Sequence, residues 1–184
     1  YDLIIDVWGA DHHGYVKRVE ASLRALGADA EAFAVVLVQM VNLTRDGEPV
    51  RMGKRTGEFV SLAEVLDEVG PDLARFFFLM RRSDAQLDFD LELARRQSAE
   101  NPVYYVQYAH ARMQSILAKA PSSKKSTNYK LLNHPLELNL IKYVLRWPEV
   151  VEDTAKDYQL QRVTGYAYDL ATVFNQFYRD CKVI

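Results

Sequence analysis

The chain has 184 residues, 49% hydrophobic and 26% charged, with a formal net charge of −2, a composition that fits a globular chain of one large or two small domains and excludes a disordered or fibrous one. No apolar run approaches the roughly 20 residues that cross a bilayer, no basic region precedes the opening apolar stretch as a signal peptide needs, and the single cysteine, Cys181, can form neither an internal disulfide nor a Cys-based metal site. A reducing, cytoplasmic setting is the expectation. The small net charge conceals an asymmetry: residues 1–100 carry 12 Lys/Arg against 18 Asp/Glu, net −6, and residues 101–184 carry 11 against 7, net +4. A basic second half suits a nucleic-acid partner.

Leu3 to Val7 is an apolar run broken only by Asp6 and ending at Gly9, which predicts a buried strand. A polar turn, GADHHG, follows. Val16, Val19, Leu23 and Leu26 then recur at helical spacing up to Gly27, a C-cap residue. Ala34 to Leu43, rich in Val, predicts a second strand. Strand–helix–strand is the unit of a parallel sheet, whose functional groups gather at the C-terminal strand ends. Thr44-Arg-Asp-Gly is a turn signal. Ser61 and Glu64 make a capping box, so a helix starts at Leu62 and stops near Gly70. Pro71 starts another, with Phe76, Phe77 and Leu79 to bury. From about Asp90 the pattern is helical throughout: Pro102 to about Lys119, Leu136 to Arg146, Pro148 to about Ala155, and Leu160 to Arg179. Pro121 to Lys130 is a Ser/Lys-rich loop. The change from α/β to all-α falls near residues 95–101. The chain opens without Met just before a strand and stops just past a helix, so a piece of a longer protein is expected.

Three groups of residues could carry chemistry. Gly9-Ala-Asp11-His12-His13-Gly14 follows a strand, where glycine lets a ligand approach the backbone. Asp11 could accept from ribose hydroxyls or a cationic substrate, and His12 and His13 could donate to phosphate. Equally, Asp11 could cap the next helix and the histidines be surface groups; no third ligand follows at metal spacing. Arg51-Met52-Gly53-Lys54-Arg55-Thr56-Gly57 puts three cations and two glycines in seven residues, a loop able to fold over polyphosphate or simply a solvated basic turn. Tyr104, Tyr108 and Arg112 share one helical stripe beside Tyr105. Such a stripe can stack unpaired bases or pack a core. Asn175, Gln176, Tyr178 and Arg179, beside an apolar face that runs from Val163 through Tyr166, Tyr168, Leu170, Val173 and Phe174 to Phe177, invite the same two readings.

In order along the chain, GADHHG, RMGKRTG, DLARFFFLMR, LDFDLELA, NPVYYVQYAHAR and YDLATVFNQFY resemble the bacterial arginyl-tRNA synthetases. The likeness spans nearly the whole chain, and its longest stretch runs from Asp72 to Arg112. It implies a class I aminoacyl-tRNA synthetase that joins arginine to tRNA-Arg through an adenylate made from ATP, with Mg²⁺ accompanying the nucleotide and no dedicated protein cage for it. The implied fold is the second half of a Rossmann-like α/β catalytic domain over residues 1–98, then an all-helical anticodon-binding (DALR) domain over 99–184. RMGK stands where the family has its KMSK signature. Arg51, Met52 and Lys54 match in type, and Gly53 replaces Ser. Lys54 is then the catalytic cation on the reacting phosphate, whose loss should cost roughly 100- to 1000-fold in rate. Gly9, Asp11, His12, His13 and Gln39 would line the ATP and arginine pocket with the 51–54 loop. Tyr104, Tyr108, Arg112, Asn175, Tyr178 and Arg179 would contact the tRNA.

The HIGH-type histidine motif of class I enzymes has no match here, and His12-His13 does not replace it. The family's domain for the tRNA elbow is also missing, so no aminoacylation by this piece alone is expected. The intact enzyme is expected to be a monomer. A half sheet leaves an edge and an apolar face open, so self-association and poor solubility of the piece are expected. Two other readings stay open: an RNA-binding module that kept the fold without the chemistry, and a cysteinyl-type relative, whose zinc cysteines lie mainly upstream.

Overall fold

The computed structural model describes residues 1–50, 60–120 and 128–183. Strands β1 (Ile4–Gly9) and β2 (Phe33–Val38) pair in parallel, from Ile4 opposite Phe33 to Gly9 opposite Val38. A parallel pair needs a crossover, and a 3-10 turn over Ala10–Tyr15 with helix α1 (Val16–Ala25) supplies it. Gly27, at φ +75°, takes the left-handed conformation that closes α1.

The Val-rich stretch expected to be one strand over 34–43 is two. After Val38 the Gln39 N–H leaves the β1 ladder and donates to the Ser83 carbonyl at 2.7 Å, while the Gln39 side-chain oxygen accepts from Met40 N at 3.0 Å. Strand β3 (Val41–Arg45) therefore begins in a second sheet, of order β4-β3-β5. It pairs antiparallel with β4 (Glu48–Pro49) and parallel with β5 (Leu87–Asp90), Val41 lying opposite Leu87. Asp46 and Gly47, at φ 53° and 79°, form the two-residue hairpin turn that a right-twisted pair prefers. Strand β5 is the element its sequence hides: LDFD is four residues long and half acidic, yet Leu87 and Phe89 point inward and Asp88 outward.

Helices α2 (Leu62–Val69), α3 (Pro71–Leu79) and α4 (Leu91–Arg95) cover this sheet. Ser61 caps α2, and the Glu64 carboxylate returns a bond to Ser61 N at 2.6 Å. Phe89 is fully buried against Phe77, whose ring meets it edge-on at 5.3 Å, with Leu43, Val65 and Leu91 around them. Helix α5 (Pro102–Lys119) starts in this core with Val103 and leaves it for a second one at Ala109, packed on Ala171 and Phe174. That second core belongs to α5, α6 (Pro135–Leu145) and α8 (Gln161–Asp180), and α7 (Trp147–Asp157) packs on α8 beside it. No residue of β1, α1 or β2 is buried. Ile5, Val7, Val36 and Val38 instead line an apolar cleft of about 610 Å³ facing the α7–α8 corner. The whole is mostly helical with two small sheets, and among the described residues no helix is long and apolar enough to cross a membrane.

Candidate functional site

One side chain fixes where the helical part starts. Asn101 is 2% exposed, and its amide is saturated. Its nitrogen donates to the Ala94 and Arg96 carbonyls at 2.9 and 2.8 Å, and its oxygen caps α5 by accepting from Val103 N at 3.0 Å and Tyr104 N at 3.4 Å. The end of α4 and the start of α5 are thus pinned to one amide. From there Tyr104, Tyr108 and Arg112 follow at i, i+4 and i+8, and so rise along one face of α5.

That face meets the last turns of α8. The Tyr104 and Tyr108 rings stack, 6.1 Å apart and 21° from parallel. The Arg112 guanidinium carbon lies 4.6 Å from the ring centroids of both Tyr108 and Tyr178. Its Nη2 donates to the Tyr108 hydroxyl at 2.7 Å and its Nη1 to the Asn175 side-chain oxygen at 3.2 Å. Tyr104, Tyr108, Arg112, Asn175 and Arg179, with Thr172 and Gln176, line an open cleft of about 680 Å³. All six candidates that the sequence suggested for RNA contact therefore meet at one place, with Tyr178 stacked on Arg112. The choice between base stacking and core packing divides by residue. Tyr105 takes the core role against Tyr168 and Ala109. Tyr108 and Tyr178 stay 47% and 38% exposed, and Tyr178 also stacks on Phe174 of the second core. Arg179 is not a free cation: Asp180 accepts two bonds from it at 2.8 Å, which raises the Arg179 pKa and lowers that of Asp180. Exposed rings beside an amide can hold unpaired bases by stacking and hydrogen bonding.

A second group sits at the C-terminal end of the β1–β2 pair. A Cβ at Gly9 would lie 2.6 Å from Asp11 Oδ1, so a side chain there would displace the carboxylate. Asp11 and His12 are exposed, with Asp11 Oδ2 and His12 Nε2 3.7 Å apart. His13 folds back, its Nδ1 3.0 Å from the Ala10 carbonyl. Gln39 directly follows Val38, the partner of Gly9, and so reaches the same strand end. Arg51, Met52, Gly53, Lys54, Arg55, Thr56 and Gly57 lie outside the described residues, and the flanking Val50 and Val60 pack against the first core. Among the described residues no group of three or more side chains could hold a metal ion.

Sequence reading missed Asn101, although an Asn before Pro at a helix start is a cap signal; its second role, tying down the end of α4, depends on tertiary structure. Thr172 could have been found one turn before Asn175 and Gln176.

The DALR anticodon binding domain model matches residues 106–184, which hold most of this cleft. Over its whole length the chain is 54% identical to the arginine–tRNA ligase of Geobacter sp. (strain M21) and 48% identical to that of Moorella thermoacetica, covering 34% of each. The chain is similar over its whole length to arginyl-tRNA synthetases. It spans about a third of the length of the curated relatives it matches. Solved structures agree in fold. A provisionally named arginyl-tRNA synthetase from Campylobacter jejuni superposes with a TM-score of 0.87 at 36% identity, over 99% of this chain and 40% of that one. The arginyl-tRNA synthetase of Thermus thermophilus does so with a TM-score of 0.80 at 24% identity, over 98% of this chain and 34% of that one.

Proposed function

We propose that this chain serves an arginine–tRNA ligase, in which residues 99–184 read the anticodon region of tRNA-Arg and residues 1–98 contribute to the ATP and arginine site. The observation that carries the first half is the meeting of Tyr104, Tyr108, Arg112, Asn175 and Tyr178 in one exposed cleft of the DALR-matched helices. For the second half, the β1–α1–β2 unit reads as part of a doubly wound, Rossmann-like catalytic domain. Gly9, Asp11, His12, His13 and Gln39 stand at the strand end where such sheets bind ligands. Lys54, with Arg51, Met52 and Gly53, would complete that site as the cation over the reacting phosphate of ATP. Mg²⁺ would arrive with the nucleotide, held by phosphate and water. A cytoplasmic setting goes with this function.

The test is titration of the chain with a tRNA-Arg transcript and an anticodon-swapped version at several salt concentrations. Phosphate contacts weaken with salt for both RNAs, and base readout separates them. A preference for the native anticodon of about 1 kcal/mol or more supports the reading; equal binding of both, or of neither, sinks it.

A further inference from the structure

A second cleft adjoins the first across one side chain. It has a volume of about 320 Å³ and lies where α2, α3 and α4 meet the start of α5, with Val69, Leu73 and Ala94 as its apolar lining. Tyr104 lines both this cleft and the α5–α8 cleft. Helical geometry makes Tyr104 the fork. Gln107 and Tyr108 stand three and four residues on, so each adjoins Tyr104, yet they point about 100° apart around α5. Tyr108 leads to Arg112 and α8, and Gln107 belongs to the second cleft.

The second cleft suits a neutral hydrogen-bonding group. Its two charged lining residues pair with each other, Glu68 Oε1 lying 3.5 Å from Arg95 Nη1. Glu68 also accepts from Arg45 Nη2 at 2.6 Å, and Arg95 lies 3.7 Å from Glu92. Among the lining residues no unpaired cation is left for a phosphate. The amides of Gln97 and Gln107 and the Tyr104 hydroxyl, by contrast, have no hydrogen-bond partner among the described residues. An amide both donates and accepts, so two of them beside a ring match the edge and the face of a nucleobase. We propose that this cleft holds the base of a second unpaired nucleotide, the neighbour along the strand of the one in the α5–α8 cleft, with Gln97 and Gln107 as its hydrogen-bonding residues. The inference rests on the RNA-binding reading above and carries the RNA path past residues 106–184 onto α2, α3 and α4.

The experiment measures affinity of the chain, at one salt concentration, for the anticodon-arm hairpin of tRNA-Arg with one loop base at a time removed and its sugar and phosphate kept. Removal at two consecutive positions should each weaken binding about fivefold or more, the loss of one base's hydrogen bonds. The double variant Gln97→Met/Gln107→Met keeps side-chain length and removes the hydrogen bonding. It should bind the unmodified hairpin about fivefold weaker, and the effect of one of the two positions should shrink while its neighbour's stays. Circular dichroism establishes that the variant is folded, and general structural damage would not single out one position. Fewer than two consecutive sensitive positions in the wild-type chain, or a variant that keeps both effects or reduces both, overturns the inference while RNA binding stands. Failure of the wild-type chain to bind the unmodified hairpin overturns it together with the RNA-binding reading.

Discussion

The Thr164 hydroxyl on α8 lies 3.1 Å from the Leu79 carbonyl at the end of α3. Among the described residues no other hydrogen bond joins the first 98 residues to helices α6–α8. Thr164 is 6% exposed, and its one proton is shared with the Gln161 carbonyl, also at 3.1 Å. The bond sits at the far end of the helix that carries Asn175 and Arg179, so it ties that helix to the α/β part.

Thr164→Val keeps the shape and removes the donor. Loss of one shared, buried bond should cost about 1 kcal/mol, or roughly 2–4 °C in Tm for a chain of this size. A thermal melt checks it, and an unchanged Tm would show that the contact contributes nothing. Affinity for an RNA hairpin should not change, because Thr164 is not part of the α5–α8 cleft.

Asn101→Ala should be far more damaging. It removes the cap of α5, worth about 1 kcal/mol, and strands the Ala94 and Arg96 carbonyls in a buried joint at about 1–3 kcal/mol more. Asn101→Ser retains a capping oxygen and should fall between the two. Urea unfolding midpoints in the order wild type, Asn101→Ser, Asn101→Ala are expected; equal midpoints for all three would remove Asn101 as the joint.

Much of this was legible in the sequence, and the failures have physical causes. Pro71, Pro102 and the Ser61–Glu64 box marked helix starts that the structure places at the same residues, because capping is a local property. The break at Gln39 was not legible, since it is made by the Ser83 carbonyl from a segment far along the chain. Strand β5 was missed because its Asp88 and Asp90 argue against a strand until Asp88 is seen paired with the Asn42 amide at 2.8 Å and Asp90 as the cap of α4. The spacing of Tyr104, Tyr108 and Arg112 foretold a shared face, but nothing in it foretold that Tyr178 and Asn175 would close on Arg112. That depends on how α5 and α8 pack.

Cys181 offers a check on the last turn of α8. Burial raises its thiol pKa, and the nearby Glu137 and Asp180 carboxylates add to the shift. Its sulfur lies 3.3 Å from His134 Nδ1, which also accepts from Leu136 N. The thiolate is the reactive form, so alkylation by iodoacetamide at mildly alkaline pH should be slower in the folded chain than in urea, and its pH profile should lie to the alkaline side. Equal rates and profiles would mean that this end of α8 is not packed as described.

The most direct test of the central claim, that the α5–α8 cleft holds tRNA by stacking its bases, is the affinity of Tyr104→Ala for tRNA-Arg across a salt series. One lost stack should weaken binding about tenfold or more while leaving the slope of log affinity against log salt unchanged, because no phosphate contact is removed. Wild-type affinity, or a weaker slope in place of a parallel shift, would contradict the account.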